Sequence, residues 1–168
     1  MTQFSLISDS SLLVRDDQGR YLPATADQIL TAARQVIDQK IQRGASFTSP
    51  AIVKEFLCAK LAGFDHEVFA CLFLDSQHRL IEYAELFRGT IDGAAVYPRE
   101  VVKMALQVNA AAVIFSHNHP SGNPEPSQAD RTITQRLKEA LALVDVRTLD
   151  HIVVGGEQTS SFAERGLL

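Results

Sequence analysis

Two histidines and an aspartate form the pattern in this sequence that is best suited to chemistry. His117 and His119 stand two apart at the end of the apolar run 111–115, so their side chains lean to one face, roughly 6.6 to 6.8 Å apart along the backbone. Asp130 falls in the first turn of a predicted helix, where the helix dipole keeps a carboxylate ionised. Two imidazoles and a carboxylate suit zinc, and three protein ligands leave a fourth position for water. The pattern therefore indicates a catalytic metal site.

The same residues also have simpler interpretations. A His-x-His pair at a strand end often serves only in hydrogen bonding. Ser127 and Asp130 have the spacing of a helix capping box. The segment between them and the histidines, residues 120–126, is rich in proline and is typical of turns. The residue types alone leave both interpretations open.

The elements that must position these residues are those of a mixed α/β domain. Residues 1–24 predict a small hairpin or a loose arm, and 159–166 a cap that closes the sheet. Hydrophobic periodicity predicts helices from Thr25 to before Gly44, Ser49 to Gly63, Pro98 to Val108 and Ser127 to Leu143, and strands over 68–74, 79–87, 111–115 and 146–154. We expect about three layers, with a sheet flanked by helices.

The composition is that of a compact globular protein. The chain has 168 residues, 46% hydrophobic and 21% charged, which is enough for one core without staples. No apolar run reaches the roughly 18 to 20 residues that span a bilayer, and the N-terminus does not resemble a signal peptide. We therefore expect a cytoplasmic protein with no membrane partner. Cys58 and Cys71 lie in apolar segments and are predicted to be structural.

The spacing around the histidines resembles a known family signature. His117-x-His119-Pro120, followed after the loop by Ser127-x-x-Asp130, matches the JAMM signature of JAB/MPN metallopeptidases in order, spacing and residue type. Further segments are similar to the RadC-like branch of that family, namely Phe87-Arg88-Gly89-Thr90, Pro98-Arg99-Glu100-Val101, His117-Asn118-His119-Pro120-Ser121-Gly122, Pro126-Ser127-Gln128-Ala129-Asp130 and Asp150-His151. The resemblance covers about residues 48–168.

The resemblance implies a JAB/MPN fold, similar to the cytidine-deaminase layout, with a mixed sheet and a short N-terminal helical extension. It implies one zinc ion per chain, held by His117, His119, Asp130 and water. The family's general base is a glutamate just before the first core strand, which corresponds to Glu67 here. Ser127 corresponds to the residue that donates a hydrogen bond to the oxyanion.

Alternatives remain for two of these roles. Glu100 and Glu82 compete with Glu67 as general base, Glu100 because it lies in a family segment and Glu82 because it lies on the neighbouring strand. His151 is interpreted first as a buried core histidine and second as a residue that orients a metal ligand.

The resemblance divides the chain into an N-terminal arm and helix, 1–45, and a RadC-like JAB/MPN domain, 46–168. Residues 1–45 lack the helix-hairpin-helix pattern of longer RadC-like proteins, so a short form is expected. The oligomeric state is not predicted.

Two functions of different classes follow from the sequence. The first is a zinc metallopeptidase or isopeptidase that acts on a peptide or an isopeptide-linked protein. The alternative is a DNA-metabolism-associated binding module with a structural or vestigial metal site. The net charge of −4 gives no general basic field, so nucleic acid as a partner is unsupported by charge. Deaminase chemistry is disfavoured because the His-x-Glu and Pro-Cys-x-x-Cys motifs are missing.

Overall fold

The computed structural model of this chain describes residues 12–40, 46–47, 49–89 and 95–168. In these residues the elements follow one another as β1 (Leu13–Arg15), β2 (Tyr21–Pro23), α1 (Ala26–Lys40), α2 (Pro50–Leu61), β3 (Val68–Leu74), β4 (Leu80–Arg88), α3 (Pro98–Gln107), β5 (Ala112–Asn118), α4 (Gln128–Ala142), β6 (Arg147–Gly155) and β7 (Gln158–Ser161). The predicted end of the first helix at Gly44 lies outside the described residues.

Residues 1–24 were predicted as a small hairpin or a loose arm, and within the described part, from Leu12 onward, the chain forms a hairpin. Residues 1–11 lie outside the described residues. β1 and β2 pair antiparallel, with Val14 opposite Leu22. Asp16 holds the turn because its Oδ1 accepts hydrogen bonds from the backbone N–H groups of Gln18 and Arg20, at 3.0 and 2.8 Å. Gly19 provides the positive φ of 81° that closes the turn.

Proline and capping residues start the helices where they were predicted. Ser49 accepts a hydrogen bond from the N–H of Ile52 and is followed by Pro50 in the first position of α2. Pro98 likewise takes the first position of α3, although the preceding Tyr97 makes no side-chain capping hydrogen bond. Ser127 and Asp130 form a complete capping box at the start of α4.

Five strands form one mixed sheet in the order β4-β3-β5-β6-β7. Within this sheet β5 and β6 run parallel, and the other neighbouring strands are antiparallel. All residues of β3 are buried, as the continuous apolar run predicted. β4 lies at an edge of the sheet, and most of its residues are only partly buried. The mixed α/β fold is confirmed and agrees with the JAB/MPN layout.

Helices cover both faces of the sheet, so the domain has three layers. On one face α2 packs against alternate residues of the central strands, including Ala70, Leu72, Ile114 and Ile152. On the other face α3 and α4 pack around the remaining residues, including Phe69, Cys71, Phe73, Val113 and Phe115. His117 and His151 occur at positions that alternate with the α2 face, so both lie on the α4 side.

Two strand predictions need correction. β5 does not end at Phe115 but continues through Ser116, His117 and Asn118, because pairing with β6 extends to Val154. The C-terminal segment was predicted only as a cap, whereas Gln158–Ser161 forms β7 and pairs with β6. Both errors concern polar residues whose hydrogen bonds are satisfied inside the sheet.

The two cysteines form no disulfide and pack inside the domain, as the sequence predicted. Cys71 is buried in β3 and Cys58 is partly buried on α2. Among the described residues, no helix is both long and apolar enough to cross a membrane.

Candidate metal centre

The two histidines lie where β5 leaves the sheet. His117 is paired with Phe69 on β3 and with Val153 on β6. His119 is the first residue after the strand, and its N–H donates to the carbonyl of Val154 at 2.8 Å. This pairing directs both imidazole rings to one side, and their Nε2 atoms are 3.0 Å apart. The two imidazole rings therefore lie side by side where β5 ends.

Asp130 faces the histidines from the first turn of α4. Its Oδ2 accepts hydrogen bonds from the N–H and the hydroxyl of Ser127, both at 2.7 Å. Its Oδ1 is 3.3 Å from Nε2 of His117, and its Oδ2 is 3.5 Å from Nε2 of His119. The cap therefore fixes the carboxylate and turns it toward both rings.

These three side chains fit a tetrahedral metal ion. Ligand atoms from His117, His119 and Asp130 all lie within 4.8 Å of one another. Zinc bonds of about 2.0 to 2.2 Å imply ligand-to-ligand separations of about 3.3 to 3.6 Å in a tetrahedron. The two Nε2 atoms are 3.0 Å apart, Oδ1 of Asp130 is 3.3 Å from His117 and Oδ2 is 3.5 Å from His119, so each histidine lies near this separation from one oxygen of Asp130. The residues present could hold one zinc ion with little rearrangement.

The outer nitrogen of each ring has its own partner. Nδ1 of His119 is 2.8 Å from the carbonyl oxygen of Asn123, so Nδ1 donates, and in the neutral ring Nε2 keeps its lone pair. Nδ1 of His117 is 2.8 Å from Nε2 of His151. His151 is buried and hydrogen-bonded in the core, as the first of the two sequence interpretations expected. It also contacts a candidate ligand, so its role in orienting His117 stays a prediction.

Electrostatics inside the site favour a cation. Burial raises the pKa of Asp130 and is the largest effect, but hydrogen bonds and charges from His117 and His119, with the Ser127 hydroxyl, hold it far below its usual range. The pKa of His119 is raised, mainly by its hydrogen bond to Asp130, and Glu67 adds to the rise. Burial places the pKa of His151 well below its ordinary value.

Glu67 immediately precedes β3, and its charge contributes to the raised pKa of His119. Asn118 holds the backbone on both sides of it: its Oδ1 accepts from the N–H of Val68 at 2.8 Å, and its Nδ2 donates to the carbonyl of His66 at 2.9 Å. Because Asn118 stands between the two histidines, one residue ties Glu67 to the end of β5.

The competing glutamates lie elsewhere. Glu82 on β4 pairs with Phe73, which pairs with Val113 on β5. Val113 precedes His117 by roughly 13 Å along the strand, at about 3.3 Å per residue. Glu100 is exposed at the start of α3 and is 3.8 Å from both Arg99 and Lys103. The register thus separates Glu82 from the cluster, and Glu100 faces cations of its own helix.

The loop that carries Asn123 is packed against the sheet at Gly155. A Cβ atom at Gly155 would lie 2.5 Å from the nitrogen of Pro124 and 2.7 Å from the carbonyl carbon of Asn123. The guanidinium of Arg165 also donates two hydrogen bonds to the carboxylate of Glu125, at 2.6 and 2.8 Å. The close approach at Gly155 and the ion pair with Arg165 set the position of the loop. They therefore also set the position of the Asn123 carbonyl that contacts His119.

Access to the cluster is from one side. The side chain of His117 is 1% exposed, whereas those of His119 and Asp130 are 17% and 14% exposed. Ser127 is exposed next to them, and its hydroxyl hydrogen points to Asp130. A substrate would therefore approach across His119 and Ser127.

Sequence reasoning missed Thr134 and Asn118. Thr134 is buried on α4 and contacts His151, and a threonine inside a helix gives no sequence signal of such a role. Asn118 had a signal, because an asparagine enclosed between two candidate ligands at a strand end needs partners for its amide.

A family profile and several sequence relatives match this chain. A family profile described as "RadC-like JAB domain" matches residues 47–167. A "UPF0758 protein" of Vibrio cholerae serotype O1 is 64% identical over 141 residues, 84% of this chain and 89% of the relative. A "UPF0758 protein" of Marinobacter nauticus is 59% identical over 145 residues, 86% of this chain and 65% of the relative.

A third relative, a "UPF0758 protein" of Nitrosococcus oceani, is 60% identical over 139 residues, 83% of this chain and 62% of the relative. The chain thus spans less than two thirds of the length of the Marinobacter and Nitrosococcus proteins. The names of these relatives state no activity. With a profile match over most of its length and relatives near 60% identity, this chain belongs to the RadC-like JAB domain family.

Proposed function

We propose that this protein is a zinc-dependent peptidase or isopeptidase whose ion is held by His117, His119 and Asp130. The observation that carries the proposal is the convergence of two imidazole nitrogens and a carboxylate whose ligand atoms lie within 4.8 Å of one another. Ser127 lies exposed beside them. Membership of a JAB family supports metal-dependent hydrolysis as the reaction class. The proposed substrate is a peptide or an isopeptide-linked protein.

A cation also explains why these atoms are so close. With hydrogen on both Nδ1 atoms, the Nε2 atoms of His117 and His119 and both carboxylate oxygens of Asp130 are all acceptors. Neighbouring acceptors in this cluster are 3.0 to 3.5 Å apart and repel one another unless a proton or a metal cation lies between them. A zinc ion supplies that charge, and when bound it lowers the pKa of a water molecule to about 7 and polarises a carbonyl.

Glu67 and Ser127 provide the remaining groups. Glu67 accepts a proton from the attacking water, whose oxygen forms the bond to the amide carbon. Glu67 then delivers the proton to the amine nitrogen as the carbon–nitrogen bond breaks. The Ser127 hydroxyl turns from Asp130 to the developing oxyanion, while the Ser127 N–H continues to hold Oδ2 of Asp130.

The proposal is tested with the zinc-loaded protein on a library of peptides and isopeptide-linked conjugates. We expect cleavage by the wild type, and a loss of roughly 100- to 10,000-fold in kcat for Glu67→Gln. Glu67→Gln should keep its zinc, since Glu67 is not among the three ligands. Glu100→Gln is the matched control and should stay active. Absence of cleavage by zinc-loaded wild type, or full activity of Glu67→Gln, contradicts the proposal.

A further inference from the structure

A buried chain of hydrogen bonds runs behind His117, away from the exposed side of the cluster. Nδ1 of His117 is 2.8 Å from Nε2 of His151, and Nδ1 of His151 is 2.6 Å from Oγ1 of Thr134. The Thr134 hydroxyl is in turn 2.5 Å from the carbonyl oxygen of Asp130. His117, His151 and Thr134 are each at most 2% exposed, so water does not compete for these bonds.

The chain has one consistent set of hydrogen positions. A carbonyl only accepts, so the single hydroxyl hydrogen of Thr134 goes to Asp130. Thr134 Oγ1 must then accept from Nδ1–H of His151. A neutral His151 has no second hydrogen, so its Nε2 accepts from Nδ1–H of His117. The remaining nitrogen of His117, Nε2, therefore bears the lone pair that points into the cluster.

The surroundings of His151 agree with a neutral ring. Its centroid is 4.7 Å from that of Phe162 in a stacked arrangement, and the rings of Phe69 and Phe115 contact it edge-on at 5.5 and 5.8 Å. Apolar neighbours of this kind disfavour a charge. They also prevent the ring from turning, so its two nitrogens stay aligned with Thr134 and His117.

We propose that His151, held by Thr134, is a positioning residue that fixes the tautomer and the ring orientation of His117 for metal binding. This inference rests on the proposed role of His117 as a ligand. The ring orientations of the two candidate histidines are then fixed by different groups. A backbone carbonyl fixes the ring of His119, whereas the side chains of His151 on β6 and Thr134 on α4 fix the ring of His117.

The relay also connects two candidate ligands to each other. Thr134 lies one helical turn after Asp130 and bonds its carbonyl, so the first turn of α4 is tied through His151 to His117 on β5. A shift of α4 would therefore disturb His117 as well as Asp130. The expected consequence is that loss of the Thr134 hydroxyl lowers metal affinity although Thr134 contacts no metal ligand atom.

Three variants of the full chain test the relay. Thr134→Val removes the hydroxyl at nearly constant volume, and Thr134→Ser restores it. Thr148→Val is the matched control, because the Thr148 hydroxyl is buried on β6 with no hydrogen-bond partner among the described residues. All three should fold, which circular dichroism and thermal unfolding verify.

The first readout is the tautomer of His117 in protein stripped of metal, measured by two-bond nitrogen–proton correlation spectra of histidine labelled with nitrogen-15. Wild type, Thr134→Ser and Thr148→Val should show hydrogen on Nδ1. Thr134→Val should show a mixture with hydrogen on Nε2. An unchanged tautomer in Thr134→Val overturns the proposal.

The second readout is zinc affinity in competition with a chromophoric chelator. Thr134→Val should bind zinc roughly 10- to 100-fold more weakly, with recovery in Thr134→Ser and no change in Thr148→Val. Affinity equal to wild type in Thr134→Val, or no recovery with serine, overturns the proposal. Neither readout uses cleavage, so an inactive wild type with the expected tautomers and affinities would refute the peptidase proposal and leave the relay standing.

Discussion

At the residue scale, the candidate site holds hydrogen-bond acceptors close together, which favours a bound cation. A carboxylate oxygen of Asp130 lies within 3.5 Å of the Nε2 atom of each candidate histidine. A capping serine, a loop carbonyl and a third histidine, His151, hold these side chains in place. None of these partners is part of the His-x-His and Ser-x-x-Asp pattern except Ser127. The sequence pattern thus identified the candidate ligands, and the structure adds what holds them.

The pH dependence of metal binding follows from His119. Its pKa is raised, chiefly by the hydrogen bond to Asp130, so without a metal ion a proton on His119 stabilises the cluster at low pH. Zinc must displace that proton. We expect zinc affinity to rise by about tenfold per pH unit below this pKa and to level off above it.

Chelator competition between about pH 5 and 8 measures this dependence. Glu139→Gln is the control, since Glu139 is exposed on α4 and accepts a hydrogen bond from Gln135 rather than contacting the cluster. Its profile should follow the wild type. A zinc affinity that is flat over this range, or that falls as pH rises, contradicts the account.

At the element scale, β5 is the strand that positions most of the candidate site. It presents His117 to α4 and Asn118 to the opposite face, and its end directs His119 into the loop. The strand was predicted to stop at Phe115 because polar residues usually mark a strand end. The prediction failed because Ser116 and Asn118 each find hydrogen-bond partners inside the fold.

Asn118 should position Glu67 without binding metal. Asn118→Leu leaves the N–H of Val68 and the carbonyl of His66 without their partner, at a cost of roughly 1 to 3 kcal/mol for each buried group. We expect a lower melting temperature and a reduced kcat, with zinc content unchanged. A variant with wild-type kcat would show that Glu67 does not need this clamp.

Gly155 should control the loop that holds His119. Gly155→Ala places a methyl group against the backbone of Asn123 and Pro124, which must move. Because the Asn123 carbonyl then leaves Nδ1 of His119, zinc affinity should fall by roughly 10- to 100-fold.

Gly156→Ala is the matched control for Gly155→Ala. Gly156 has a φ of 60° and nothing within 4 Å of a Cβ, so its substitution strains only the turn. Zinc affinity should stay at the wild-type value in that variant. Equal zinc affinities of the two variants would show that the contact at Gly155 does not affect metal binding, and would contradict the prediction.

At the scale of the whole molecule, the sequence predicted the architecture well where burial and local signals agree. β3 and the starts of α2 and α3 match because a continuous apolar run and helix-initiating prolines fix them. β7 was missed because its residues are polar and gain their stability from pairing with β6. The role of His151 needed knowledge that β6 lies beside β5, which sequence periodicity does not provide.

The division into an arm, 1–45, and a domain, 46–168, stays a prediction, as does activity in the whole protein. Two of the relatives compared extend well beyond the region that this chain matches. The family assignment and the fold do not depend on that division, because the profile match lies within residues 47–167.

Zinc should stabilise the whole domain, because the candidate ligands join β5 to α4. At a free zinc concentration of about 100 times Kd, binding to the native state adds about 2.7 kcal/mol. For a domain of this size that raises the melting temperature by roughly 5 to 11 °C. Differential scanning calorimetry with and without zinc measures the shift, and magnesium at the same concentration should have little effect. A melting temperature unchanged by zinc contradicts the account.

The most direct test of the metal centre is its zinc content by elemental analysis after purification and zinc loading. Wild type, Asp130→Ala and His78→Ala are compared, since His78 lies in the turn between β3 and β4. The account predicts about one zinc per chain in wild type and His78→Ala and a large loss in Asp130→Ala. Wild type without zinc, or Asp130→Ala with undiminished zinc, would contradict it.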